Sequence, residues 1–278
     1  MTPAENAQLA LLLEVAGTPK PGNVDRERDF DDLRFEHFLA GSVGAGSGLR
    51  TAEDGAPVGA AFEQAVAGMS QQRGGNTQFG ALLLLVPLVR TSAESDLVSE
   101  SVRAVVENTT VEDATNFYRA FDHVDVFVDD PPEDAEPLDV RRGADAVPAL
   151  EDRETTLYDV MEMSAPDDGV ANEWVSGFER TFWAADRLTD FEGPISARGA
   201  RVYLELLSRE RDTLVQKQHG RKVAESIRVR AQEALEGGGA VIEAFAESLV
   251  DDDINPGTTA DITAAALFVA LETGAVEV

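Results

Sequence analysis

The chain has 278 residues, 43% of them hydrophobic, which suits one large domain or two small ones with a sizeable core. Lys and Arg number 23 against 52 Asp and Glu, a formal charge of −29, so nucleic acid is a poor partner for want of a basic face. There is no cysteine, which removes disulfides, thiolate metal sites and a cysteine nucleophile from consideration.

No apolar run reaches the ~18–20 residues that span a bilayer. The longest, residues 80–89 (GALLLLVPLV), is broken by Pro87. The N-terminus shows neither the basic region nor the cleavage site of a secretory signal, and the expectation is a cytoplasmic protein without a membrane partner. A disordered acidic chain would be poor in apolar residues; this one is rich in them and reads as a folded protein suited to high salt, which screens self-repulsion. Only three lysines occur, Lys20, Lys217 and Lys222.

Thr2-Pro3-Ala4-Glu5 reads as an N-cap, an N1 proline and an N3 glutamate, so a first helix starts there and ends near Gly17. A second, Leu33–Gly48, is rich in small residues that let another backbone approach. Val58–Met69 follows. Thr77–Arg90 is apolar on nearly every side and is expected at the centre. Asp96–Glu107 and Thr110–Phe121 come next, the latter capped by Thr110 and Asp113. Residues 124–140 then carry seven acidic residues and three prolines with no basic residue, and read as a linker or solvated excursion. Residues 124–128 hold the one strand-like signal. Helices resume at Thr155–Ser164, Asn172–Thr189, Ala197–Arg211, Arg221–Glu236, Gly239–Val250 and Pro256–Glu272. The expected fold is all-α, a single domain over residues 1–278 of about ten to twelve helices around a central apolar helix.

Four polar islands interrupt the helices: KPGNVDRERDFDD (20–32), RGGNTQFG (73–80), RDTLVQKQHG (211–220) and DDDINPGTTADI (251–262). Each joins turn residues to Asn, Thr, Asp or Lys at a helix end. That combination suits phosphate: a helix N-terminus offers free N–H groups, Gly admits close backbone approach, Lys adds a point charge, and Asp holds Mg²⁺ against phosphates. A helix cap or an acidic surface explains any one island alone. Together they predict one pocket.

The segments TPKPGNVDR, GGNTQFGA, DTLVQKQHG and NPGTTAD resemble, in this order, the triphosphoribosyl-dephospho-CoA synthase family. The resemblance spreads over residues 18–261 and is closest to the family's archaeal branch. It implies an all-helical fold and a transferase that moves the triphosphoribosyl group of ATP onto 3′-dephospho-CoA or a related acceptor, releasing adenine. ATP and a dephospho-CoA-like molecule are the implied small-molecule partners, with Mg²⁺ accompanying ATP; the oligomeric state stays open, a homodimer included. Asp212 and Asp261 are the expected catalytic acids. Lys20, Gly22, Asn23, Asn76, Thr77, Lys217, Asn255 and Thr258 are expected to bind substrate and phosphate, with Asp25 orienting substrate. Asp29, Asp31 and Asp261 are the expected Mg²⁺ ligands. The bacterial members have a His and a basic residue where this chain has Gln78 and Phe79. That departure motivates an alternative, a nucleotide-binding regulator of the same fold that has lost turnover.

Overall fold

The computed structural model describes residues 1–131 and 133–278. Among them are fifteen α-helices: α1 (Pro3–Ala16), α2 (Phe35–Glu53), α3 (Val58–Met69), α4 (Phe79–Glu94), α5 (Ser99–Glu107), α6 (Val111–Ala120), α7 (Val147–Asp152), α8 (Leu157–Ser164), α9 (Gly169–Ser176), α10 (Glu179–Thr189), α11 (Ile195–Arg209), α12 (Thr213–His219), α13 (Arg221–Gly237), α14 (Gly239–Asp251) and α15 (Gly257–Glu272). Two 3₁₀ segments, Glu133–Leu138 and Val140–Ala146, precede α7. No strand occurs among the described residues, so the strand-like 124–128 is irregular chain.

Caps begin several helices as expected. Thr2 and Glu5 form a reciprocal capping box on α1, and Thr110 with Asp113 does the same on α6. The small residues of α2 meet those of α3: a Cβ on Gly44 would overlap the Gly68 carbonyl, and one on Gly48 would overlap the backbone of Ala65. The backbones cross too closely for any side chain there.

The expected central helix is α4, with Leu82, Leu84, Leu85, Val86, Leu88 and Val89 wholly inaccessible. It shares the centre with α15, which is buried from Thr258 almost continuously to Leu271. The two pack side by side, and α1 packs against both. The helix expected over Asn172–Thr189 is broken. Gly177 (φ 75°) and Phe178 (φ 63°) are both left-handed, and the buried Glu173 carboxylate accepts from Thr181 N at 2.9 Å to start α10. The glycine is a visible stop signal, but a left-handed Phe is not.

The acidic stretch 124–140 is not a free linker. Tyr118 Oη donates to the Leu138 carbonyl at 2.6 Å. Arg141 bridges Asp130 (2.8 Å) and Asp139 (2.6 Å). The described part of the segment is thereby strapped to α6.

Candidate active site

Beneath that strap lies a cavity of about 910 Å³, toward the upper end of typical ligand pockets. One end is polar, lined by Glu14 of α1, Asn23, Asn76 and Thr77, Lys217 of α12, and Asn255, Thr258 and Asp261 around the start of α15. Toward α6, α8 and the strap the lining is aromatic and aliphatic apart from Asp125, Asp129, Asp130 and Asp139. Seven residues expected at the site from sequence therefore converge, from positions 23 to 261.

Lys20-Pro21-Gly22-Asn23 is a tight turn, closed by Asn23 N donating to the Lys20 carbonyl at 3.2 Å, with Gly22 at φ 73°. Pro at the second position and left-handed Gly at the third are the type II requirement. Gly22 does not line the cavity. A Cβ there would overlap the Ile254 carbonyl, so this glycine locks the turn onto the loop before α15. Lys20 does not face a phosphate site either. It is wholly buried, its Nζ 2.5 Å from Glu14 Oε1 and 2.8 Å from Asn23 Oδ1. Its charge is spent behind the wall, holding two residues that do line it. Asp25 lies in the same buried layer. It accepts from Lys20 N at 3.1 Å and pairs with Arg28, so it organises the turn rather than touching the cavity.

Asp212 and Asp261 separate into different environments. Asp212 caps α12 through Val215 N (3.1 Å) and accepts from Thr259 N (2.8 Å) and Thr259 Oγ1 (2.7 Å). Both its oxygens are committed, and it sits behind the cavity rather than on it. Burial raises its pKa, with the Thr259 bonds working against the rise. Asp261 lines the cavity and lies against the first turn of α4, where a Cβ on Gly80 would overlap Oδ2. The Ala81 amide donates to it, and among the described residues no Lys or Arg pairs with it. Burial pushes its pKa well above the usual carboxylate range, and the nearby charges of Asp212 and Glu14 push it further. Glu14 is also raised by burial, but the Lys20 ammonium pulls it back.

The helix starts are less open to phosphate than the sequence suggests. Asn76 Oδ1 accepts from Phe79 N at 3.0 Å, and Asp261 takes the Ala81 amide. Asp212 takes the Thr259 amide of α15. Thr258 Oγ1 and Thr213 Oγ1 are 3.0 Å apart, and Asn255 Oδ1 accepts from Asn23 Nδ2 at 3.0 Å. Lys217 Nζ is 2.6 Å from Asp168 Oδ2 and is the one basic residue among the described lining residues, which include eight acidic ones.

Asp29 and Asp31 are exposed, in a surface loop away from the cavity, and Asp29 Oδ1 accepts from Phe35 N at 2.7 Å to begin α2. They are not a metal pair at this site. Among the described residues no group of three His, Asp or Glu side chains is assembled to hold a metal.

Sequence reasoning missed Glu14, Asp168 and the strap. Glu14 was detectable: Ala4, Ala7, Leu11 and Glu14 follow the 3-4-3 spacing of one helix face, so an acid sits on an otherwise apolar buried stripe. Gln78 and Phe79 both line the cavity. Gln78 Nε2 donates to Ser42 Oγ at 2.8 Å, and the Phe79 ring meets Phe121 at 4.9 Å between centroids. Both are built into their surroundings by α2 and α6.

A family model described as ATP:dephospho-CoA triphosphoribosyl transferase matches residues 1–277. A crystal structure of a proposed triphosphoribosyl-dephospho-CoA synthase from Archaeoglobus fulgidus is similar at a TM-score of 0.71 and 29% identity, covering 87% of this chain and 99% of that one. Comparison with curated proteins gives no match.

Proposed function

This chain belongs to the ATP:dephospho-CoA triphosphoribosyl transferase family, and from that premise we propose that transfer takes place at the polar end of the cavity, with Asp261 and Glu14 as its working acids. The bond between adenine and the ribose of ATP breaks, and the acceptor's hydroxyl oxygen bonds to the sugar carbon. Charge builds on that carbon as in glycoside cleavage, which needs one carboxylic acid and one carboxylate. Asp261, held protonated by burial and neighbouring negative charge, gives its proton to the departing adenine. Glu14, whose negative charge Lys20 supports, faces the cationic carbon and takes the hydroxyl proton. One proton leaves Asp261 and one arrives at Glu14, so the chemistry balances, and exchange with solvent resets both. The observation that carries this reading is the contrast between two acids that line one cavity: Glu14 is paired with a buried ammonium, Lys20, and Asp261 is paired with no Lys or Arg among the described residues.

The donor set suits Mg²⁺ arriving with the nucleotide better than a resident ion. Eight acids against one lysine would repel a bare triphosphate, and no preassembled cage exists among the described residues. Asp168 is committed to the start of α9 and to Lys217, so Asp167 beside it is the acid that would meet the ion, which when bound neutralises the phosphates. Lys217 and Thr77 would orient the phosphate chain.

The test is adenine release from ATP, followed by chromatography, with and without dephospho-CoA, for the parent and Glu14→Gln. Acceptor-dependent release that falls ~10²-fold in the variant is expected. Tight ATP binding with no adenine under any acceptor would instead support the regulator reading.

A further inference from the structure

We propose that the apolar half of the cavity is the acceptor's arm site: it takes the long, uncharged arm that a dephospho-CoA-type acceptor carries beyond its diphosphate, and Phe127 and Met163 select for it. The inference rests on the transferase reading and adds the placement of one substrate. The wall at this end is aromatic and aliphatic. Phe117 and Phe121 meet at 5.3 Å between centroids, and Met161 and Val160 continue the surface from α8. Phe127 and Met163, 49% and 51% exposed, are two of the few large apolar side chains left open to solvent, and both line this cavity. Isolated exposed apolar residues need no explanation, but two that share the rim of one apolar cleft do.

The polar lining of this half is of one sign. Asp125, Asp129, Asp130 and Asp139 all come from the strap or its edge, and Arg141, which pairs with Asp130 and Asp139, does not itself line the cavity. Phosphates are therefore disfavoured here and favoured at Lys217. The adenine of ATP cannot occupy this end either, because its departure requires the proton of Asp261 at the polar end. Two uncharged pieces of the acceptor then remain, its adenine and its arm; the arm is the longer and more flexible, with amides and methyl groups to offer, and a probe that keeps the adenine and replaces the arm separates the two. The cavity, about 910 Å³ with its polar end included, is toward the upper end of typical ligand pockets and so has room beyond the reacting groups.

ADP-ribose is the matched probe. It has the same adenosine and the same diphosphate diester as dephospho-CoA, but a hydroxylated arm. Calorimetric titration of both into the full-length parent and into the double variant F127A/M163A tests the placement without requiring turnover. The parent is expected to bind dephospho-CoA at least ~10-fold more tightly than ADP-ribose. The double variant should lose most of that advantage while its affinity for ADP-ribose stays within about twofold. Both side chains are half-exposed, so the variant should fold, and its melting curve checks this. Equal affinities in the parent, an unchanged advantage in the variant, or an equal loss for both ligands would each overturn the placement. Adenine release by the parent, measured separately, decides the transferase reading, so the two failures are told apart.

Discussion

Asn23 donates its side-chain amide to Asn255 Oδ1 at 3.0 Å, across 232 positions of sequence. Asn23 Oδ1 meanwhile accepts from buried Lys20. One amide thus ties the turn after α1 to the loop before α15 and connects both to the Lys20–Glu14 pair. The pocket is held by a polar network whose members are nearly all inaccessible, and such networks are costly when broken.

Lys20→Met is expected to destabilise the fold by ~3–5 kcal/mol, because it leaves the Glu14 carboxylate buried without its partner. Adding Glu14→Gln should recover a large part of the loss. Urea unfolding of the two single variants and the double variant measures the coupling. Additive losses would show that the pair is not a unit.

Asp212→Asn should cost ~1–3 kcal/mol of stability, since an amide cannot accept from Val215 and from both Thr259 donors as the carboxylate does. Adenine release per folded molecule should stay within a few-fold of the parent. A ~10²-fold loss with an unchanged melting temperature would return Asp212 to the chemistry.

Asp261→Asn should lower adenine release ~10²-fold or more, the usual scale for a positioned acid. Its pKa is raised in the folded state, so the native protein holds a proton that the unfolded chain has already lost. Stability therefore falls as pH rises from the unfolded value through the folded one. The variant should flatten this slope and gain in melting temperature on the alkaline side, by a few degrees for each ~1 kcal/mol. In the parent, activity should decline along the same alkaline limb. An identical pH dependence of melting in parent and variant would sink the protonated-Asp261 assignment.

Melting temperature should rise between low and molar KCl. The net charge is −29, and the screening length shortens from ~10 Å at 0.1 M to ~3 Å at 1 M. Asp129 and Asp130 crowd the strap, where Arg141 pairs with Asp130, so strap proteolysis at low salt should slow as salt is added. A flat or falling melting curve would count against the high-salt reading.

Helix starts were legible wherever a side chain makes the cap itself, as at Thr2 and Thr110, because the capping chemistry is local. The crowding of α2 and α3 was legible for the same reason: glycines advertise close approach. The four islands converge as their shared composition suggests. What sequence could not assign was direction. A lysine in a polar turn is equally suited to a phosphate or to a buried carboxylate, and only the fold of α1 over that turn brings Glu14 to Lys20. A capping Asp and a catalytic Asp are one residue type, so Asp212 and Asp261 look alike until α12 is laid against α15. The strap misled because its acids and prolines speak of solvent, while Val126 and Phe127 within it face the cavity.

The wall of the pocket is shared by α1, the turn at Asn23 and the first turns of α15. During synthesis these emerge far apart in time. A chain released from the ribosome up to α11 already holds Glu14 and Lys20 but has neither Asp261 nor Lys217. Tyr203 of α11 already lies over Lys20, but the cavity wall that α12 and α15 supply is missing, and with it the proposed nucleotide site. Ligand therefore has no part in guiding the early helices together. On the proposed site it can reward only a chain whose last helix is in place, which would make nucleotide binding a report on completed folding.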